Sequence, residues 1–214
     1  MNRTLLTVTC LAAALSLGAC KIVKTPAPGT QTAAADASGD DARITAILND
    51  TYDQKLLPLV KSQASELADL RAAIASGLDA AGQAHGHRGA GEGAAWNFAV
   101  KGQGKVVDAN LESRARKLEL DTDGDGKADV TLQLGPVVKG TALRDIAPFY
   151  DFTDFRDQIE FAKLARALND KASAALAVPE GDPKGKTVAF TGVVALKSPT
   201  EAWLMTPVEI AVAP

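Results

Sequence analysis

The chain of 214 residues holds only 2 cysteines and 2 histidines. Cys10 falls inside an early apolar run and Cys20 just after it, which leaves none to pair within the remainder. Disulfides therefore contribute nothing to the fold, and an exported chain of this kind relies on its core or on a metal. His85 and His87, with no cysteine or further histidine nearby, do not complete a zinc set and read as solvated loop residues. No apolar run approaches the roughly 20 residues that span a bilayer. A basic excess is missing too, because residues 20–214 carry 22 basic against 26 acidic side chains. That balance excludes the electrostatic footprint of a nucleic-acid partner. No nucleophile elbow, zinc signature or catalytic cysteine occurs, so the sequence points away from an enzyme.

What is present begins with an address. In "MNRTLLTVTCLAAALSLGAC", Arg3 precedes an apolar run from Leu5 to Leu17 and a small-residue cut site, the plan of a secretory signal over residues 1–19. Leu17-Gly18-Ala19-Cys20 resembles the lipobox of bacterial lipoproteins, which makes Cys20 the lipidated first residue of the mature chain. Lys21 at the second position is not the aspartate that resembles an inner-membrane retention signal, which favours the outer membrane. Residues 20–40 are rich in Pro, Ala, Thr, Gly and Asp and cannot bury a core. They read as a tether with a mean reach of roughly 25 Å.

From Asp41 the spacing of Ile44, Ile47, Leu48, Tyr52, Leu56 and Leu59 predicts a helix that Pro58 kinks or ends near Leu57. A second stripe over Leu67, Leu70, Ile74 and Leu78 continues to about Ala81. "GQAHGHRGAGEGAAW" then reads as a Gly-rich loop, so residues 41–93 form an N-terminal helical part. Beyond Ala94 the period becomes two. Trp96, Phe98 and Val100 open a strand that runs past Gly102 and Gly104 to Val106, with the glycines permitting a bend. Leu118 and Leu120, then Val130, Leu132 and Leu134, mark two more strands.

A helix follows within an insertion at about 151–178, with Thr153 as its expected N-cap, Asp154 and Asp157 in its first turn and Pro179 as its stop. Two last strands cover Thr187 to Leu196 and Pro207 to Val212, the second with Val208, Ile210 and Val212 inward. The order β-β-β-α-β-β over residues 94–214 predicts an α+β fold, an OB-like five-stranded partly open barrel with a helical domain. A small mixed sheet with helices on one face satisfies the same spacing.

The one stretch with ion chemistry is "DTDGDGKADV". A hard cation wants oxygens at alternate positions and a glycine at the sharp bend. Asp121, Asp123 and Asp125 supply the acids, Gly126 the bend, the Lys127 carbonyl and Asp129 the remaining ligands for Ca2+. Leu132 stands where an EF-hand needs a glutamate, so the loop resembles instead the strand-flanked acidic loops of secreted calcium-binding repeats. The other reading is a hairpin in which Gly124 and Gly126 supply positive φ and the aspartates only form turns.

Several motifs together carry a family resemblance: the lipobox followed by "KIV", "LLPLV", "WNFAVKGQGKVV", "LGP", "GTALRD", "FTDFRDQIEFAKLARALN" and "GKTVAFTGVV". They resemble the uncharacterised family of predicted periplasmic lipoproteins often encoded beside sugar ABC transporters. The chain departs from that pattern at Lys24, where a proline is usual, and at Asp157-Gln158, where Asn-Gln is usual. A carboxylate there accepts but cannot donate a hydrogen bond. The resemblance implies a lipid-anchored accessory or binding protein without established activity, with sugar ABC transporter components or carbohydrate as partners.

Its ligand-binding surface is expected where "GTALRD" and "FYDFTDFRDQIEF" converge at the barrel mouth. Arg144 and Asp145 offer charged hydrogen bonds, Gln158 an amide, and Phe152 or Phe155 a flat face for a sugar ring. In the other reading the charged pair bridges its loop and the phenylalanines are core. The remaining alternatives are a calcium-stabilised structural envelope protein and a glycan-acting enzyme using two carboxylates such as Asp145 and Glu160.

Overall fold

The computed structural model describes residues 33–89, 91, 93–178 and 181–212. Cys20, the signal segment and most of the tether lie outside these residues, as does Pro179. Ala34–Pro214 forms one compact unit. Its helices are α1 (Asp40–Thr51), α2 (Leu57–Gln63), α3 (Leu67–Ser76), α4 (Leu78–His85), α5 (Ala142–Asp145) and α6 (Gln158–Ala175). Its strands are β1 (Ser65–Glu66), β2 (Gly86–Arg88), β3 (Trp96–Asn110), β4 (Ala115–Asp121), β5 (Val130–Pro136), β6 (Thr187–Leu196) and β7 (Trp203–Val212).

Five strands close a ring in the order β3-β4-β5-β7-β6 and back to β3. All neighbours are antiparallel except β5 and β7, whose parallel seam spans only Val130–Leu132 against Trp203–Met205. This is the OB ring that the strand order predicts, closed through its shortest seam.

β3 serves both sides of the ring. Residues Trp96–Lys105 pair with β6, and Lys105–Asn110 pair with β4, so the strand turns a corner near Gly104. A Cβ at Gly104 would sit 2.7 Å from Thr122 Cγ2 and 2.8 Å from the Asp121 carbonyl, so only glycine fits the corner. The short strands β1 and β2 extend β3 on its outer edge.

Alternation sorts two cores. Phe98, Val100, Leu118, Leu120, Leu132, Leu134, Val194 and Met205 fill the barrel, joined by Leu67, Leu70 and Ile74 from α3. The opposite face of β3 and β6, through Ala99 and Val193, meets Ile44, Tyr52, Leu56, Leu143, Leu164 and Leu168 of the helical layer. Burial of Ile44, Tyr52 and Leu56 follows the helical spacing read from the sequence.

Four local expectations are corrected. Pro58 does not end the first helix. The chain widens into a π turn over Tyr52–Leu56, closed by Leu57 N–H to the Tyr52 carbonyl, and α2 resumes with Pro58 in its first turn, where the missing donor costs little. The Gly-rich stretch is not all loop, because α4 runs through Gly82 to His85 and Gly86–Arg88 pairs with β3. Gly82 is required there, since a Cβ would lie 2.1 Å from the Trp96 ring. Thr153 does not cap α6. Asp157 does, its Oδ1 accepting from Ile159 N and Glu160 N at 2.9 Å each, while Thr153 sits in a separate turn headed by Asp151. Val208 faces the helical layer and not the barrel, because the β6–β7 register slips between Thr191 and Gly192.

Candidate functional site

The segments carrying Arg144 and Phe152 meet in a cleft of about 590 Å3, within the size range of small-molecule sites. It lies on the outer flank of the barrel and not in its mouth. There the polar phase of β3, Asn97, passes under α5 and the start of α6. Arg144, Asp145, Phe152 and Gln158 all line it, together with His87, Asn97 and Phe161. Phe155 does not line the cleft. It is buried in the helical core, its ring 4.9 Å from Phe161.

The charged pair is held firmly. Arg144 Nε donates to Asp145 Oδ1 at 2.7 Å, its Nη1 donates to the Phe161 carbonyl at 3.1 Å, and its guanidinium lies 3.7 Å from the centre of the Phe161 ring. Thr141 Oγ1 donates to Asp145 Oδ2 at 2.6 Å. The Asp145 carbonyl accepts from His87 Nδ1 at 2.7 Å, and since a carbonyl can only accept, Nδ1 carries a proton. His87 is thus an ordered, half-buried strand residue, unlike exposed His85.

Asn97 completes the floor at 2% exposure. Its Nδ2 donates to the His87 and Ala95 carbonyls at 3.3 and 3.2 Å, while Oδ1 has no hydrogen-bond partner among the described residues. Such an unmade buried acceptor costs about 1–3 kcal/mol. Above it, Phe152 stays 41% exposed although its ring meets Phe161 edge-on at 5.6 Å. The arrangement offers an aromatic face beside fixed donors and acceptors, which suits a polyhydroxylated ring. Asp157, where the resemblance expects Asn, caps α6 with an acceptor only, so a carboxylate performs that task as well as an amide.

Two residues of the cleft could not be read from sequence motifs. Asn97 looks like any polar residue of an alternating strand. His87 looks like a loop residue until β2 pairs it with β3.

The acidic turn is folded largely by its own peptides. Asp121 is buried and accepts from Gly124 N at 2.7 Å and Gly126 N at 2.9 Å, both glycines having φ near the left-handed region at 86° and 84°. Those backbone donors, Gly124 first, hold its carboxyl below the ordinary range. Oxygens of Asp121, Asp123 and Asp129 lie within 4.8 Å of one another. Asp125 stands apart and accepts from Lys127 N at 2.7 Å. Arg71 donates to Asp129 Oδ2 at 3.2 Å, which places a cation already beside the cluster.

Ring order and a helical layer packed on its flank define a protein of the OB-barrel class. Among solved structures, an OB-fold protein from Thermotoga maritima is similar at a TM-score of 0.56 and 15% identity, covering 80% of this chain and 95% of that one. At this identity the likeness shows the fold alone. No curated protein matches the chain. A family model described as predicted periplasmic lipoprotein (DUF2291) matches residues 10–211, and the chain belongs to that family. Membership makes it a predicted periplasmic lipoprotein and implies anchoring in a membrane; the family itself has no assigned function. Among the described residues no helix is long and apolar enough to cross a membrane.

Proposed function

We propose that the protein is a lipid-anchored, non-catalytic binding protein that takes a neutral carbohydrate in the Arg144 cleft and serves a sugar ABC transport system as an accessory. The supporting observation is the cleft itself: an exposed aromatic face, Phe152, beside Arg144, Asp145, His87 and Gln158 in about 590 Å3. Sugar hydroxyls need both donors and acceptors, and a ring face packs on an aromatic surface. Anchoring at Cys20, with Lys21 behind it, favours the outer membrane.

Hydrolysis by Asp145 and Glu160 is the weaker reading. Glu160 is buried, its Oε1 accepting from Arg43 Nε at 2.6 Å and its Oε2 from Arg156 N at 2.7 Å, and it does not line the cleft. A glycosidase needs both carboxyls at one scissile bond.

Calorimetric titration with D-glucose, D-ribose and maltose tests the binding reading. Heats that vanish in Phe152→Ala support it, and silence across the three sugars at about 10 mM overturns it. Turnover of oligosaccharides lost in both Asp145→Ala and Glu160→Ala would replace binding by hydrolysis. Crosslinking in the native envelope tests the partner: capture of a permease or substrate-binding protein supports the accessory role, and reproducible capture of peptidoglycan enzymes alone overturns it.

The convergence of Asp121, Asp123 and Asp129 favours a second, compatible role, calcium stiffening of the β4–β5 hairpin. Three carboxylates this close repel each other, Arg71 pairs with Asp129 alone among them, and extracellular-type sites bind at about 10⁻⁴ to 10⁻³ M.

A further inference from the structure

On the other side of α6 lies a second cleft, of about 720 Å3, which the Arg144 reading does not use. It runs between the start of β4, the loop after β5 and the outer turns of α6. Three of its wall residues are arginines, Arg114, Arg116 and Arg166, against one acid, Asp170. Arg114 has no ion pair among the described residues. Arg116 donates from Nε to the Gly135 carbonyl at 2.7 Å and has no carboxylate partner there either. Arg166 reaches Asp170 only at 3.9 Å. On a chain whose acids outnumber its bases, this is a local reversal of sign.

The floor adds an independent observation. Asn169 is 4% exposed, and its Nδ2 donates to the Gly140 carbonyl at 3.0 Å, while its Oδ1 has no hydrogen-bond partner among the described residues. Buried acceptors are nearly always satisfied. Val137, Val138 and Ala162 supply an apolar stretch of wall for a carbon skeleton.

We propose that this cleft binds a small hydroxylated anion, a sugar acid or sugar phosphate. The arginines take its oxyanion and Asn169 Oδ1 takes a hydroxyl. The guanidinium fork matches carboxylate and phosphate geometry alike. Because Oδ1 is enclosed, the hydroxyl reaches it with a small shift of the cleft wall. The occupant differs from that of the Arg144 cleft by its charge, so the two sites can be tested apart.

The experiment is titration of the mature chain with D-glucuronate and with glucose 6-phosphate, with D-glucose as the neutral comparison. At least one anion binds at a single site, with an affinity that falls as salt rises. The double variant Arg114→Gln/Arg166→Gln changes two exposed side chains and leaves the melting temperature in place. It weakens anion binding about 10-fold or more, whereas Phe152→Ala, an exposed side chain outside the second cleft, leaves anion binding unchanged. Neutral-sugar heats that respond to Phe152→Ala and not to the arginine pair belong to the other cleft, so either assignment can fail alone. No binding of either anion at about 10 mM, or equal affinity in the double variant, overturns the proposal.

Discussion

Replacing Arg144 by alanine should loosen the cleft before any ligand is considered. The side chain is 13% exposed and makes three contacts: the 2.7 Å pair with Asp145, the 3.1 Å hydrogen bond to the Phe161 carbonyl, and the stack at 3.7 Å over the Phe161 ring. A hydrogen bond to a charged group contributes about 1.5–3 kcal/mol, and a partly desolvated cation over an aromatic face about 0.5–2 kcal/mol. Asp145 keeps Thr141 as a donor, so its carboxylate is not stranded. The loss should therefore total about 3 kcal/mol, a fall in melting temperature of about 6–12 °C for a fold of this size. Arg144→Lys keeps a point charge for Asp145 but loses the planar stack and the split between two acceptors, and should recover about half of the loss. Urea titration with an unchanged m-value, followed by calorimetry, measures both variants. A midpoint for Arg144→Ala within about 0.5 kcal/mol of the parent, or a lysine variant equal to arginine, would refute a cleft wall held by this guanidinium.

Three other outcomes follow from the same geometry. Burial alone would raise the Asp40 pKa, but hydrogen bonds from Arg156 and Lys163 hold it below 3.8. A carboxyl with a folded value below its unfolded one contributes its stability above the unfolded value and loses it as pH falls through the folded value. Urea midpoints should thus drop below about pH 3.8 in the parent, and Asp40→Asn should remove this group's share of the drop. At millimolar calcium the melting temperature should rise, and Asp123→Ala should abolish the rise; no rise in the parent leaves the acidic turn a plain hairpin. Gly104→Ala forces a Cβ to within 2.7 Å of Thr122, an overpacking that should cost about 1–3 kcal/mol by urea titration; a variant as stable as the parent would show that the β3 corner has spare room.

Much of the barrel was legible because period-two alternation is a strong signal wherever one face of a strand is buried. Leu118, Leu120, Val130, Leu132 and Leu134 point inward as their spacing requires. The misreadings arose where a local rule met a tertiary one. Pro58 breaks a regular helix, yet a π turn just upstream removes the conflict. Val208 keeps the parity of Ile210, but a slip in register changes its face. Glycines at 82 and 86 resemble loop residues, although Gly82 is there to admit the Trp96 ring and Gly86 to bring β2 against Phe98. In the cleft, the charged and aromatic side chains after Gly140 announced themselves by chemistry. Asn97 and His87 did not, since what distinguishes them is the position of β2 and the absence of a partner for one amide oxygen.

The additions to the barrel, and not its interior, form the two clefts, and the packing explains why. Leucines, valines and phenylalanines at near-zero exposure fill the five-stranded ring, which leaves no space for a ligand inside. The two clefts arise instead beside α6, where the helical layer meets the sheet. The short segment from Gly140 to Asp145 belongs to both places. Its Gly140 carbonyl accepts from Asn169, its Thr141 hydroxyl donates to Asp145, and its Asp145 carbonyl accepts from His87. Arg144 fastens it to α6 through the Phe161 carbonyl. A six-residue stretch with so many fixed peptides is preorganised, so a ligand in either cleft gains contacts without first ordering a loop. A motif as short as "GTALRD" thus sets this joint, and the barrel beneath holds the joint in place.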